Sequence, residues 1–114
     1  MGIRVAILGA GTMGHALALV YALGGHEVRL TDNSMATLDK AGGLMEAALA
    51  SLVVNEEVHE SHTAEWLHGA ITRLPTLAET VEDSDLIVEA IIENPDAKRT
   101  LYAELDRVAP MEAV

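Results

Sequence analysis

Gly9-Ala10-Gly11-Thr12-Met13-Gly14 follows the apolar run Ile3-Arg4-Val5-Ala6-Ile7-Leu8 and opens a helix-like segment that continues through Leu23. This G-x-G-x-x-G spacing is that of a turn handing a strand over to a helix around a dinucleotide. Gly9 lets the chain leave the strand tightly, Gly11 lets a diphosphate approach bare backbone, and Gly14 lets the helix lie close on the strand. The amides of Thr12, Met13 and Gly14 then face the phosphates, with the positive end of the helix dipole behind them. Three glycines at this spacing are common. Their setting gives them weight: a strand before, a helix after, and an acidic residue, Asp32, ending the next strand eighteen residues beyond Gly14.

Outward from the turn, the first run is apolar at five of its six positions, the pattern of a central parallel strand covered on both faces. Glu27-Val28-Arg29-Leu30-Thr31 alternates and belongs further out. Between them Met13, Ala16, Leu17, Val20, Tyr21 and Gly24 recur at helical spacing, and Gly24-Gly25 ends the helix. Asn33 or Ser34 caps a second helix carrying Leu38, Ala41, Leu44, Met45, Ala48, Leu49 and Leu52 to about Asn55. The acidic stretch Glu56 to His68 turns back as a second helical arm, so a helical insert occupies about 35–69. Ile71 to Leu74 is a short strand, and Thr76-Leu77-Ala78-Glu79 has the spacing of a capping box for a short helix ending near Asp83.

Leu86-Ile87-Val88-Glu89-Ala90-Ile91-Ile92 is the second strongly apolar strand and is predicted to lie centrally, beside the first. Asn94 and Pro95 start a last helix, with Leu101, Leu105 and Val108 on its buried side. The expected architecture is α/β: a Rossmann-type parallel sheet in the order 3-2-1-4 with an inserted helical arm, residues 1–114 forming one dinucleotide-binding domain. It is expected to be incomplete, because the chain stops where another strand would begin. In such a sheet ligands sit at the carboxyl ends of the strands, where connections leave in opposite directions. That sets the glycine turn opposite Ala90 to Glu93.

The 114 residues suffice for one domain with a core and are few for a dehydrogenase with separate cofactor and substrate regions. Half are hydrophobic and only 3% aromatic, so the core is aliphatic. A net charge of −11 argues against nucleic acid or an anionic membrane as partner; an anionic ligand must bind through local donors. The absence of cysteine removes disulfides and thiol nucleophiles and fits a reducing compartment. The first strand starts too close to Met1 for a signal peptide, and no uncharged apolar stretch reaches membrane-spanning length, so a cytoplasmic location is expected.

A carboxylate at the end of the second strand can accept hydrogen bonds from both adenosine-ribose hydroxyls and would repel a 2′-phosphate. Asn33-Ser34-Met35-Ala36 contains no arginine to hold that phosphate, which favours NAD over NADP. The histidines do not make a metal or catalytic centre in this reading. His59-Glu60-Ser61-His62 lacks the i, i+4 spacing of a zinc-binding helix, and His15 and His26 flank the first helix as surface residues. Glu93 and Lys98 fall just beyond the fourth strand, where a nicotinamide ribose could lie. A first-turn glutamate and a helix-surface lysine would have the same spacing.

Together, Gly9 to Gly14, Asp32, the long arm after it, and Asp85 to Asn94 running into Lys98 and Leu101-Tyr102-Ala103-Glu104-Leu105-Asp106 resemble the NAD-binding half of the 3-hydroxyacyl-CoA dehydrogenases and their lambda-crystallin and gulonate dehydrogenase relatives. The resemblance covers essentially the whole chain. It implies NAD as cofactor, with Asp32 and Asn33 as adenosine-ribose contacts and Ala90, Glu93 and Lys98 as contacts near the nicotinamide. It also implies reversible hydride transfer at the 3-hydroxy carbon of an acyl-CoA, in fatty acid metabolism, with the family's acid/base His and its Glu, and the Ser and Asn that orient the substrate, all beyond Val114. No catalytic residue is therefore assigned in this chain. The family tends to carry lysines near the CoA phosphates where the first arm ends, whereas this chain has Leu52-Val53-Val54-Asn55-Glu56-Glu57. A gulonate- or carnitine-type hydroxy acid stays open as substrate, as does a stand-alone NAD-binding module. A hydroxyacyl substrate is the expected small-molecule partner, with either self-association or a missing C-terminal domain beside it.

Overall fold

The computed structural model describes residues 2–90, 99–100, 103–105 and 107. The elements run β1 (Arg4–Leu8), α1 (Thr12–Leu23), β2 (Glu27–Thr31), α2 (Met35–Val54), α3 (Ala64–Ala70), β3 (Ile71–Arg73), α4 (Leu77–Val81) and β4 (Leu86–Glu89). The four strands form one parallel sheet in the order β3-β2-β1-β4. Register aligns the alternating apolar positions: Val5 faces Val28 and Leu86, and Ile7 faces Leu30 and Val88. One side of every strand therefore feeds one core.

That core joins Val5, Ile7, Val28, Leu30 and Ile71 to Ala18, Leu19 and Ala22 of α1, to Leu38, Ala41, Met45 and Leu49 of α2, and to Leu67 of α3. The opposite face is thinner, with Ala6, Leu8 and Val81 packed by Leu77, Ile87 and Leu105. Helices thus cover both sheet faces, as the near-continuous apolar run of β1 requires. Arginines tie the sheet to its helices. Arg29 donates to the Glu79 and Glu82 carbonyls at the end of α4 (3.0 and 3.1 Å), and Arg73 donates to the Leu38 and Asp39 carbonyls of α2 (3.2 and 3.1 Å).

The structure sets which helix faces are buried and corrects one expectation, the extent of the second arm. The buried side of α1 is Gly14, Ala18, Leu19 and Ala22, while Met13 and Val20 are 67% and 64% exposed. Ala16 to Leu23 is apolar all round, so periodicity alone cannot set its phase; the close approach of Gly14 to Gly9 does. Leu44 points outward on α2, and Gly42 takes the inward position. The second arm is helical only over Ala64–Ala70, after a segment that turns with Glu56 at φ 60°. Finally, β4 ends at Glu89 and is half-buried throughout, and it lies beside β1, as expected. Ile91, Ile92 and the start of the last helix at Asn94 lie outside the described residues.

Candidate cofactor site

Both neighbours of β1 carry their hydrogen bonds up to the glycine turn. The Gly9 amide donates to the Thr31 carbonyl of β2 (2.8 Å), and the Ala90 amide, just past β4, donates to the Leu8 carbonyl (2.8 Å). Gly9 then turns the chain at φ 110°, a conformation that side chains disfavour. A Cβ on Gly14 would overlap the Gly9 carbonyl oxygen and would lie 3.7 Å from the Ala90 Cβ, so strand, helix and Ala90 meet without room for a methyl group. Gly11 is the opposite case. A Cβ there would meet nothing within 4 Å. The first glycine shapes the turn, the last seats the helix, and the middle one leaves a bare, open backbone surface.

Helix α1 begins at that surface without a side-chain cap, and its first turn holds no acidic residue. By contrast, α2, α3 and α4 are capped by Ser34, Thr63 and Thr76, whose hydroxyls accept the Thr37, Trp66 and Glu79 amides. The exposed residues Thr12 and Met13 thus lie at a helix start whose amide donors and dipole suit an anion. Asp32 stands beside them, half-buried, with Oδ2 accepting the Ala10 amide and Oδ1 accepting the Ser34 amide, each at 2.8 Å. Asn33, next to it, is exposed. Open backbone at Gly11, free donors at the start of α1 and a carboxylate with spare lone pairs fit a dinucleotide diphosphate and its ribose.

Gly9, Gly11, Thr12, Met13, Gly14, Asp32, Asn33 and Ala90 are thereby brought to one end of the sheet. Glu93 and Lys98 lie outside the described residues. Sequence reasoning missed His15, whose Nδ1 lies 2.7 Å from the Gly11 carbonyl. A carbonyl only accepts, so Nδ1 carries the proton in that contact. The signal was its place one residue after the last glycine, four from Gly11. His26 is at the other end of the sheet, its Nδ1 accepting the Ile3 amide, and His59, His62 and His68 engage Ser61, Trp66 and Glu46. Two concavities of about 480 and 490 Å³ lie away from the turn. The first is at the amino ends of the strands, where Arg4 already pairs with Glu27 and Asp83, and the second is between α2 and β3. The donors at the start of α1 belong to neither concavity.

The family model described as 3-hydroxyacyl-CoA dehydrogenase, NAD binding domain, matches residues 4–114. A probable 3-hydroxyacyl-CoA dehydrogenase of Caenorhabditis elegans is 30% identical over 114 residues, covering 97% of this chain and 38% of that protein. A lambda-crystallin homolog of Rattus norvegicus is 30% identical over 110 residues, covering 96% of this chain and 34% of that protein. Among solved structures, a diketoreductase acting on dicarbonyl compounds superposes with a TM-score of 0.87 at 32% identity, covering 100% of this chain and 41% of that one. The chain thus spans well under half the length of these relatives.

Proposed function

The chain belongs to the NAD-binding domain of the 3-hydroxyacyl-CoA dehydrogenase family, and from that membership we propose that it serves as the cofactor-binding part of an enzyme interconverting 3-hydroxyacyl-CoA and 3-ketoacyl-CoA by hydride transfer. The observation that carries this reading is the uncapped start of α1 over the open face of Gly11, with the Asp32 carboxylate alongside. NAD, when bound, supplies the hydride acceptor. Gly9 and Gly14 shape the turn, while Gly11, Thr12 and Met13 present the backbone that holds the diphosphate. Asp32 and Asn33 take the adenosine ribose, and Ala90, Glu93 and Lys98 line the nicotinamide end. Fatty acid metabolism and a cytoplasmic location are the setting we propose, the second supported by the cysteine-free sequence. No described helix is long and apolar enough to cross a membrane. The expected partners are a hydroxyacyl substrate and a C-terminal domain or a second copy of the chain.

A second reading, a gulonate- or carnitine-type hydroxy acid as substrate, draws on the last turn of α2, which has no basic residue and is followed by Glu56 and Glu57. That surface offers little to a CoA phosphate. Calorimetric titration of NAD and NADP into the protein tests the cofactor reading. Tighter binding of NAD is expected, and equal affinities, or no binding of either, would overturn it.

A further inference from the structure

The two bonds that Asp32 makes to backbone amides go beyond what holding a ribose requires. Ala10 lies between the first two glycines, twenty-two residues from Asp32, and is fully buried. An amide in such a place has lost its water and needs a protein acceptor. The strand ladder supplies acceptors only as far as Gly9, through Thr31. One residue further on, the chain is flanked by glycine on both sides, with a positive φ at Gly9 and empty space at Gly11, so no neighbouring side chain restrains it. The Asp32 carboxylate restrains it instead, and its other oxygen ties the same residue to the start of α2 through Ser34.

We infer that Asp32 is a positioning residue for the diphosphate turn: its carboxylate holds Ala10 so that the amides from Gly11 to Gly14 are in place before the cofactor arrives. The inference rests on the NAD reading for what the turn binds, while the latch belongs to the cofactor-free protein. A carboxylate offers about four lone-pair positions, so two remain for the ribose hydroxyls after the two amides are served. Removing the carboxylate to admit the 2′-phosphate of NADP therefore weakens binding of both cofactors, because both use the same diphosphate turn. Asn is no substitute. Its one carbonyl oxygen serves a single amide, and its NH₂ opposes the other.

Amide hydrogen exchange and binding of an ADP analogue lacking the 2′ and 3′ hydroxyls test this in the full chain, with Asp32→Ala and the milder Asp32→Asn. In the cofactor-free parent the Ala10 amide should exchange slowly. In Asp32→Ala it should exchange roughly tenfold faster or more, with the amides of Val5 to Leu8 unchanged, while Asp32→Asn should release one of the two amides, Ala10 or Ser34. The dideoxy analogue cannot use the ribose contact, yet it should still bind roughly tenfold more weakly to Asp32→Ala. Unchanged Ala10 exchange in Asp32→Ala, or equal or tighter binding of the analogue to that variant, would reduce Asp32 to a ribose contact and overturn the proposal. If the variants fail to fold, a through-hydrogen-bond coupling between the Ala10 amide nitrogen and the Asp32 carboxyl carbon, measured in the parent alone, detects the latch directly; its absence would overturn the proposal. Failure of the parent to bind NAD would remove the cofactor reading, and Ala10 exchange would still decide the latch.

Discussion

Gly14 sits against the carbonyl of Gly9 so closely that no Cβ fits between them. The obstruction is backbone on backbone, and no rotamer change relieves it. Gly14→Ala is expected to cost roughly 1–3 kcal/mol of stability, the range for overpacking a close contact. Gly11→Ala meets empty space and should cost under about 1 kcal/mol, the scale of an N-cap change, yet it should weaken NAD strongly by filling the diphosphate surface. Urea unfolding alongside NAD titration separates the two. A stable Gly11→Ala variant that binds NAD like the parent would contradict the site.

Arg73 and Gly42 are coupled across β3 and α2. A Cβ on Gly42 would lie 2.8 Å from the Arg73 guanidinium carbon, which is held there by the Leu38 and Asp39 carbonyls. Replacing a mid-helix glycine by alanine ordinarily gains about 1 kcal/mol. Here the gain is opposed by displacement of the arginine from two carbonyls, bonds whose value is reduced by the exposure of Arg73. In an Arg73→Ala background the opposition disappears. Gly42→Ala should then stabilise by about 1 kcal/mol more than it does in the parent, and a double-mutant cycle with no coupling would contradict this account.

Met45 is 1% exposed and Leu44 48% exposed, although both belong to the apolar set that marks α2 in the sequence. Met45→Ala should cost roughly 2–5 kcal/mol and Leu44→Ala under about 1 kcal/mol, a contrast that thermal unfolding resolves. The pair also marks where sequence was legible. The glycine turn, β1, β2 and the caps at Ser34 and Thr76 depend on near neighbours, and the residues announce them. The facing of α1 and α2 depends on which small residue meets a distant backbone or side chain: Gly14 against Gly9, Gly42 against Arg73. Apolar periodicity carries no record of that in helices as uniformly aliphatic as these. The same holds for the bond from Asp32 to Ala10, whereas its bond to Ser34 spans two residues and was within reach of local reasoning.

Among the described residues β4 has a strand on one side alone, with Leu86 to Glu89 half-buried. The outer edge of a sheet is where a further strand adds. The chain is expected to self-associate with rising concentration despite its net charge of −11. A monodisperse monomer at high concentration in sedimentation velocity would count against it.

The histidines bear on whether these 114 residues transfer hydride unaided. An acid/base must reach the substrate oxygen beside the nicotinamide, and losing one costs roughly 10²- to 10⁴-fold in rate. His26 accepts the Ile3 amide at the amino end of β1, so the five residues of that strand, roughly 17 Å, separate it from the glycine turn. His68 pairs with Glu46 just before α3 enters the amino end of β3, and His62 packs against Trp66 on the same helix. His15 alone is at the turn, and its Nδ1 is committed to the Gly11 carbonyl on the diphosphate side. Substrate positioning, which contributes a further large share of barrier reduction, has no evident provider among these residues. NADH oxidation with an acetoacetyl-CoA-type substrate should therefore be negligible with this chain alone. It should appear when a separately made polypeptide supplies the remaining length found in the relatives. Turnover by the chain alone that disappears in His15→Ala while NAD binding is unchanged would make His15 the acid/base and overturn the assignment of His15 to the diphosphate turn.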